Sequence, residues 1–265
     1  DLRTLQPDIT APGVSILAAY TEDESPTNED FDKRRAPFNV LSGTSMSCPH
    51  VAGVVGLLKT MYPHWSPAAI KSAIVTTART RGNTLKPLTD ASSGKATPFD
   101  YGGGHIYPNR AMDPGLVYDL SLNDYFGFLC SIGYTSSQLK LISGDPQHPY
   151  ECLKNTSRTK DFNYPSIAVD LFGKKPQRSV RAIRRVKNVG SVGTYRAYVR
   201  NPDGVSVSVQ PRVLRFEAVG EEKEFEVTIA ANGNVAKGGG GRYAFGELRW
   251  SDGRRKHHVR SQIVV

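Results

Sequence analysis

No stretch of this 265-residue chain approaches the about 18 consecutive apolar residues of a membrane-spanning helix, so no span is expected. The glycine run Tyr101-Gly102-Gly103-Gly104-His105 is not followed by Gly-Lys-Ser/Thr, which argues against a phosphate loop and for a close-packed turn. Over 161–265 the arginines and lysines are spread along strand-like segments, without the aromatic motifs of RNA-binding domains, so nucleic acid is not expected as a partner. Residues 21–36 carry six acids, but their spacing matches no calcium loop. They read as a solvated loop, and neither a metal nor a cofactor is expected. The chain opens on Asp1, with neither an initiator Met nor a leader, which says nothing of its compartment.

What is present is the material of packed domains. Hydrophobic residues make up 38% and aromatics 9%, outside the disordered range. The net charge of +9 is unevenly placed. Residues 1–160 hold 15 Lys and Arg against 15 Asp and Glu, whereas residues 161–265 hold 19 against 10. A neutral and a basic module follow. The basic face reads as solvated surface, with loose attraction to an anionic matrix such as acidic polysaccharide as the alternative.

There are three cysteines. Cys48, in a small-residue helix, is expected to be buried and unpaired. Cys130 and Cys152 bracket a helical segment and could close a loop worth about 3 kcal/mol if bridged. Asn155-Thr156-Ser157 fits the N-glycosylation pattern. A candidate disulfide together with a sequon favours an oxidising compartment.

The periodicity changes along the chain. Val14 to Tyr20 is a short apolar run suited to a buried parallel sheet, and Phe38 to Leu41 is a second strand. After the Gly43-Thr44 turn comes a helix apolar or small on nearly every side, expected to lie buried in a sheet's covering layer. Ser66-Pro67 opens another helix, as N-cap and first helical residue. Ser121 starts a short helix, and Thr135-Ser136-Ser137-Gln138 is a capping box for the next. From Ser166 the period becomes two. Ile167/Val169/Leu171, Tyr195/Ala197/Val199, Val205/Val207/Val209, Phe225/Val227/Ile229 and Leu248/Trp250 alternate with polar residues. About seven short strands with turn residues between them describe an antiparallel sandwich.

The run Ser42-Gly43-Thr44-Ser45-Met46-Ser47-Cys48-Pro49-His50 sets a serine at the entry of a small-residue helix. With Val51-Ala52-Gly53 it is similar to the catalytic-serine motif of subtilisin-like proteases. The flanks Asp8 to Val14 and Trp65 to Ala73 resemble the plant subtilases, the cucumisin-like branch. Phe162 to Ile167, Lys187 to Gly190 and Arg249 to Gly253 resemble the fibronectin-III-like domain of the same proteins. The resemblance implies an α/β fold over 1–120, the C-terminal part of a parallel-sheet catalytic domain, then a helical connector over 121–160 and an all-β sandwich over 161–265.

It further implies a secreted serine endopeptidase acting on protein or peptide substrates, extracellular in the apoplast or cell wall. Ser45 would be the nucleophile, with Gly43 and Thr44 against the substrate. Subtilisin-type triads run Asp, His, Ser along the chain. None of His50, His64, His105, His148, His257 and His258 has the His-Gly-Thr setting of the family's base. Asn28 and Asn39 lack that of its oxyanion amide. The chain is therefore expected to hold the nucleophile without its base, to be inactive alone, and to need the N-terminal part of the same protease as partner. An α/β-hydrolase would require Gly-x-Ser-x-Gly, whose fifth position is Ser47 here. The alternative outside catalysis is a binding or dimer-stabilising sandwich module, with a homodimer as partner.

Overall fold

A computed structural model describes residues 5–144, 151–152, 159–171, 177–232, 243–253 and 256–265. The chain divides into two compact units, Thr10–Pro63 and a larger one of Asp1–Ile9 with His64–Val265.

In the unit Thr10–Pro63, strand β1 (Ile16–Ala19) pairs antiparallel with β2 (Phe38–Leu41), Ile16 opposite Leu41 and Ala19 opposite Phe38. The parallel pairing expected of residues 14–20 is replaced here by this two-stranded ribbon. Helix α1 (Thr44–Met61) follows. Among its residues only Leu58 is buried, and Leu57 is 63% exposed. The expectation of a helix covered on nearly every side is corrected: a two-stranded ribbon has too little area to cover 18 helical residues. Cys48, expected inside, is free and exposed for the same reason.

The larger unit starts with α2 (Pro67–Thr77), in which nine residues from Ala68 to Thr77 are buried. Ser66 caps it, its Oγ accepting from the Ala69 N–H at 3.0 Å. Short helices α3 (Pro98–Tyr101) and α4 (Pro108–Ala111) lead to strand β3 (Leu116–Val117). Capping boxes at Ser121 and Thr135 open α5 (Leu122–Ser131) and α6 (Ser136–Ser143). Each cap satisfies amide groups that the first helical turn leaves without partners.

The remaining strands are β4 (Ile167–Ala168), β5 (Ser179–Asn188), β6 (Gly193–Arg200), β7 (Val205–Gln210), β8 (Val213–Phe216), β9 (Glu222–Ala231), β10 (Phe245–Asp252) and β11 (His258–Val264). They form sheets of order β4-β11-β10-β6-β8 and β3-β5-β9-β7, with the β4–β11 pairing parallel and the rest antiparallel. Trp250, Phe225, Tyr195, Phe216 and Ile229 fill the space between the sheets. Phe225 and Trp250 meet edge to face at 5.0 Å between ring centres.

Strand β3 comes from outside the run of period-two sequence, yet its Leu116 and the Tyr118 that follows it join this core. The Tyr118 hydroxyl bonds Ser261 Oγ at 2.7 Å, and the Tyr118 N–H donates to Ser72 Oγ of α2 at 2.8 Å. Gly115 makes that junction possible. Its φ of 78° suits glycine, and a Cβ there would meet His257 Cβ at 2.9 Å.

Candidate active site

Ser45 is the second residue of α1, and its side chain lies exposed in the unit Thr10–Pro63. Three hydrogen bonds strap the residues on either side of it to residues 11–15. The Gly43 N–H donates to the Gly13 carbonyl at 2.7 Å, Ser47 Oγ to the Ala11 carbonyl at 2.9 Å, and the Ser15 N–H to Ser42 Oγ at 2.8 Å. Gly13 must be glycine for this closeness, since a Cβ would stand 2.8 Å from the Gly43 carbonyl oxygen and collide with Ser47 Oγ. Gly43, at φ 155° and ψ 170°, is the N-cap and supplies no side chain to the first turn.

The positive end of α1 is thus left open. Its first turn contains no acidic residue and no side-chain cap. The Met46 and Ser47 N–H groups turn back to the Gly43 carbonyl at 3.1 and 3.4 Å, while the amides before them point out of the helix end. A developing negative charge beside Ser45 would meet those dipoles. Pro49 lies inside the helix and has no N–H for the Ser45 carbonyl four residues back. The sequence motif therefore maps onto a strapped, polar and exposed helix entry.

His50 is the one histidine between residues 10 and 63, and its Nδ1 is within 2.8 Å of the Met46 carbonyl, one turn back on the same helix. His64, His105, His257 and His258 belong to the other unit. His257 lies between two carboxylates, Nδ1 at 2.9 Å from Asp252 Oδ2 and Nε2 at 2.9 Å from Asp113 Oδ1. His148 lies outside the described residues.

Asp8 is bound elsewhere too. Its carboxylate takes the Tyr164 hydroxyl and pairs with Lys71 Nζ at 3.2 Å. Burial first, then the Asp8 carboxylate, pushes the Tyr164 hydroxyl well above the ordinary phenol range.

In the acidic loop, Asp32 takes two bonds from the Arg34 guanidinium, at 2.8 and 2.7 Å, one from the Arg34 N–H at 3.1 Å and one from Thr27 at 2.8 Å. Those bonds, Arg34 foremost, hold its carboxyl far below the usual range. The loop's best-placed acid is thus occupied by a guanidinium. Among the described residues no group of three His, Cys, Asp or Glu is placed to hold a metal.

The structure joins Cys130 to Cys152, with Cα atoms 5.6 Å apart. Asn155 lies outside the described residues. The groups that sequence reading missed are the clasp on His257 and a set of arginines on β10 and β11. The unusually basic Arg254-Arg255-Lys256-His257-His258 stretch was a signal for the first; no short motif marks the second.

Comparison with known proteins bears directly on this geometry. Residues 2–104 match the family described as "Subtilase family", and residues 161–265 match "Fibronectin type-III domain". Subtilisin-like protease SBT5.4 of Arabidopsis thaliana is 54% identical over 262 residues, 98% of this chain and 32% of the relative. SBT5.3 of the same plant is 54% identical over 265 residues, covering 99% and 33%. Subtilisin-like protease Glyma18g48580 of Glycine max is 48% identical over 263 residues, covering 98% and 32%. The chain thus spans about a third of the length of these relatives.

Proposed function

Because this chain belongs to the plant subtilisin-like proteases, with a subtilase segment followed by a fibronectin-III-like domain, we propose that Ser45 is the nucleophile of a serine endopeptidase. The observation that carries the reading is the exposed Ser45 at the uncapped, acid-free entry of α1, held there by the Gly13–Gly43 strap. In acyl transfer, Ser45 Oγ adds to the scissile carbonyl while its proton passes to a base. The amides at the helix entry then stabilise the oxyanion. Collapse expels the amine, which takes the proton back, and water repeats the sequence to release the acid.

Gly43, without a side chain, and Thr44 beside it are the residues expected against the substrate backbone. The base and its carboxylate partner come from a segment of the longer protein, and the isolated chain is inactive. Two facts support this. The histidine in Ser45's unit is tied to its own helix, and the relatives are about three times longer. The division into a catalytic-domain segment (1–120), a helical connector (121–160) and a sandwich (161–265) belongs to the same reading, as does an extracellular location, which the Cys130–Cys152 bridge favours.

A fluorophosphonate probe tests the proposal. The isolated chain should remain unlabelled, and co-folding with the N-terminal two-thirds of a relative should bring labelling at Ser45 that Ser45→Ala abolishes. Labelling of the isolated chain, or activity that survives Ser45→Ala, would overturn it.

A further inference from the structure

Strands β10 and β11 place Arg249 directly opposite Arg260. Like charges facing each other across a ladder repel, and here the repulsion is compounded. A cavity of about 540 Å³ over this pair is also lined by Arg79, Arg81, Arg110 and His258, with Glu247 the one acid among its lining residues. Glu247 cannot balance the set. It stands 4.0 Å from Arg260 Nη1 and is shared with Arg200 at 3.8 Å.

The cations are held in place by groups that leave their charge intact. The Tyr107 ring carries the Arg79 guanidinium 4.2 Å and the Arg110 guanidinium 4.9 Å from its centre. Arg260 is pinned by the Ala78 carbonyl at 2.8 Å and the Gly103 carbonyl. Arg79 Nε, Arg249 Nε, Arg260 Nη1 and His258 Nδ1 are buried atoms without a hydrogen-bond partner among the described residues. Burial, then Arg249 and Arg110, push His258 below its ordinary range. Desolvated cations lacking counter-charge are costly, and three arginine nitrogens and one histidine nitrogen without partners around one cavity mark a site that is electrostatically unfinished.

We propose that this cavity binds a multiply charged oxyanion, its carboxylate or phosphate oxygens taken by the guanidinium forks of Arg79, Arg110 and Arg249. Guanidinium planes match both oxyanions bidentately, and the volume lies in the range of small-ligand sites. A free phosphate or a uronate oligosaccharide supplies the same chemistry. All the lining groups belong to the unit without Ser45, so the site stands independently of the proteolytic reading.

The test is calorimetry on the whole chain at fixed ionic strength, with inorganic phosphate in one arm and a galacturonate trisaccharide in the other. Saturable binding of either supports the site, and a tenfold preference for one names its source. Arg110→Gln and Arg249→Gln should each weaken binding about tenfold, the worth of one charge-assisted hydrogen bond. Arg110 is exposed, so its substitution spares the fold. Lys223→Gln removes the same charge from β9, outside the cavity, and should leave binding unchanged. If neither probe saturates below about 10 mM, or if Lys223→Gln weakens binding as much as the arginine substitutions, the proposal is overturned.

Discussion

The two units of this chain differ in how much of their apolar surface they bury. In Thr10–Pro63, Val14, Leu17, Phe31, Phe38 and Leu57 are each at least 60% exposed. In the sandwich, Trp250, Leu248, Val259 and Ile263 are at 0%. The serine rests on a ribbon and a helix whose apolar groups face solvent, while the region without a catalytic candidate holds the dense core. A segment so built takes little of its order from its own burial. What fixes Ser45 locally is the polar strap, not packing.

Two substitutions at opposite ends of this contrast probe it most strongly. Phe225→Ala removes a ring packed on Trp250 and should cost about 3–5 kcal/mol, read as a loss in denaturation midpoint. Leu57→Ala, on the exposed face of α1, should stay within about 0.5 kcal/mol. Native-state hydrogen exchange should agree, with amides of β9 and β10 protected to the global limit and those of α1 opening well below it. Equal protection in both regions would break the comparison.

Next in size is the Cys130–Cys152 bridge. Closing its 22-residue separation should contribute about 3 kcal/mol by restricting the unfolded chain. Cys130→Ser with Cys152→Ser should lower the denaturation midpoint of the larger unit and leave exchange in Thr10–Pro63 unchanged. A change in α1 exchange would show that the two regions are coupled more tightly than their burial suggests.

Much of this was legible because it is local. The Ser45 motif, the Ser66 and Thr135 caps and the period-two runs announce themselves within a few residues. What escaped depends on partners far away in sequence. In β5 strict alternation sets Arg184 on the same inward face as Val180, Ala182 and Val186, so Arg184 is buried at 4% and Ile183 is 40% exposed, the reverse of what their polarity alone suggests. Arg184 is admitted because its guanidinium donates to the carbonyls of Lys160 and Ile183 at 2.7 and 2.8 Å, and burial pulls its pKa down to about 10. The Arg249–Arg260 pair exists only through strand register, which no short motif encodes. The covering of α1 was misjudged because an apolar helix reports what it can bury, not whether a partner is at hand.

A smaller effect than the bridge's is expected where the segment after α4 meets the sandwich. Asp113 accepts from His257 Nε2 at 2.9 Å and pairs with Lys256 Nζ at 2.7 Å, while Asp252 holds the other face of the same imidazole. Burial alone would raise the Asp113 carboxyl, but the bonds from Lys256 and His257 outweigh it and hold the group below the usual carboxylate range. A carboxyl depressed on folding stabilises above its unfolded pKa, and the gain is lost as pH falls through the folded value. Because the side chain is 46% exposed, solvent screening keeps the contribution near about 0.2–1 kcal/mol. Asp113→Asn should therefore be less stable than the unaltered chain at pH 6, with the gap closing towards pH 2, as urea midpoints at the two pH values would show. A gap that persists undiminished in acid would mean that Asp113 works by shape and hydrogen bonding alone, and that this junction, like the neutral strap at Ser45, does not depend on charge.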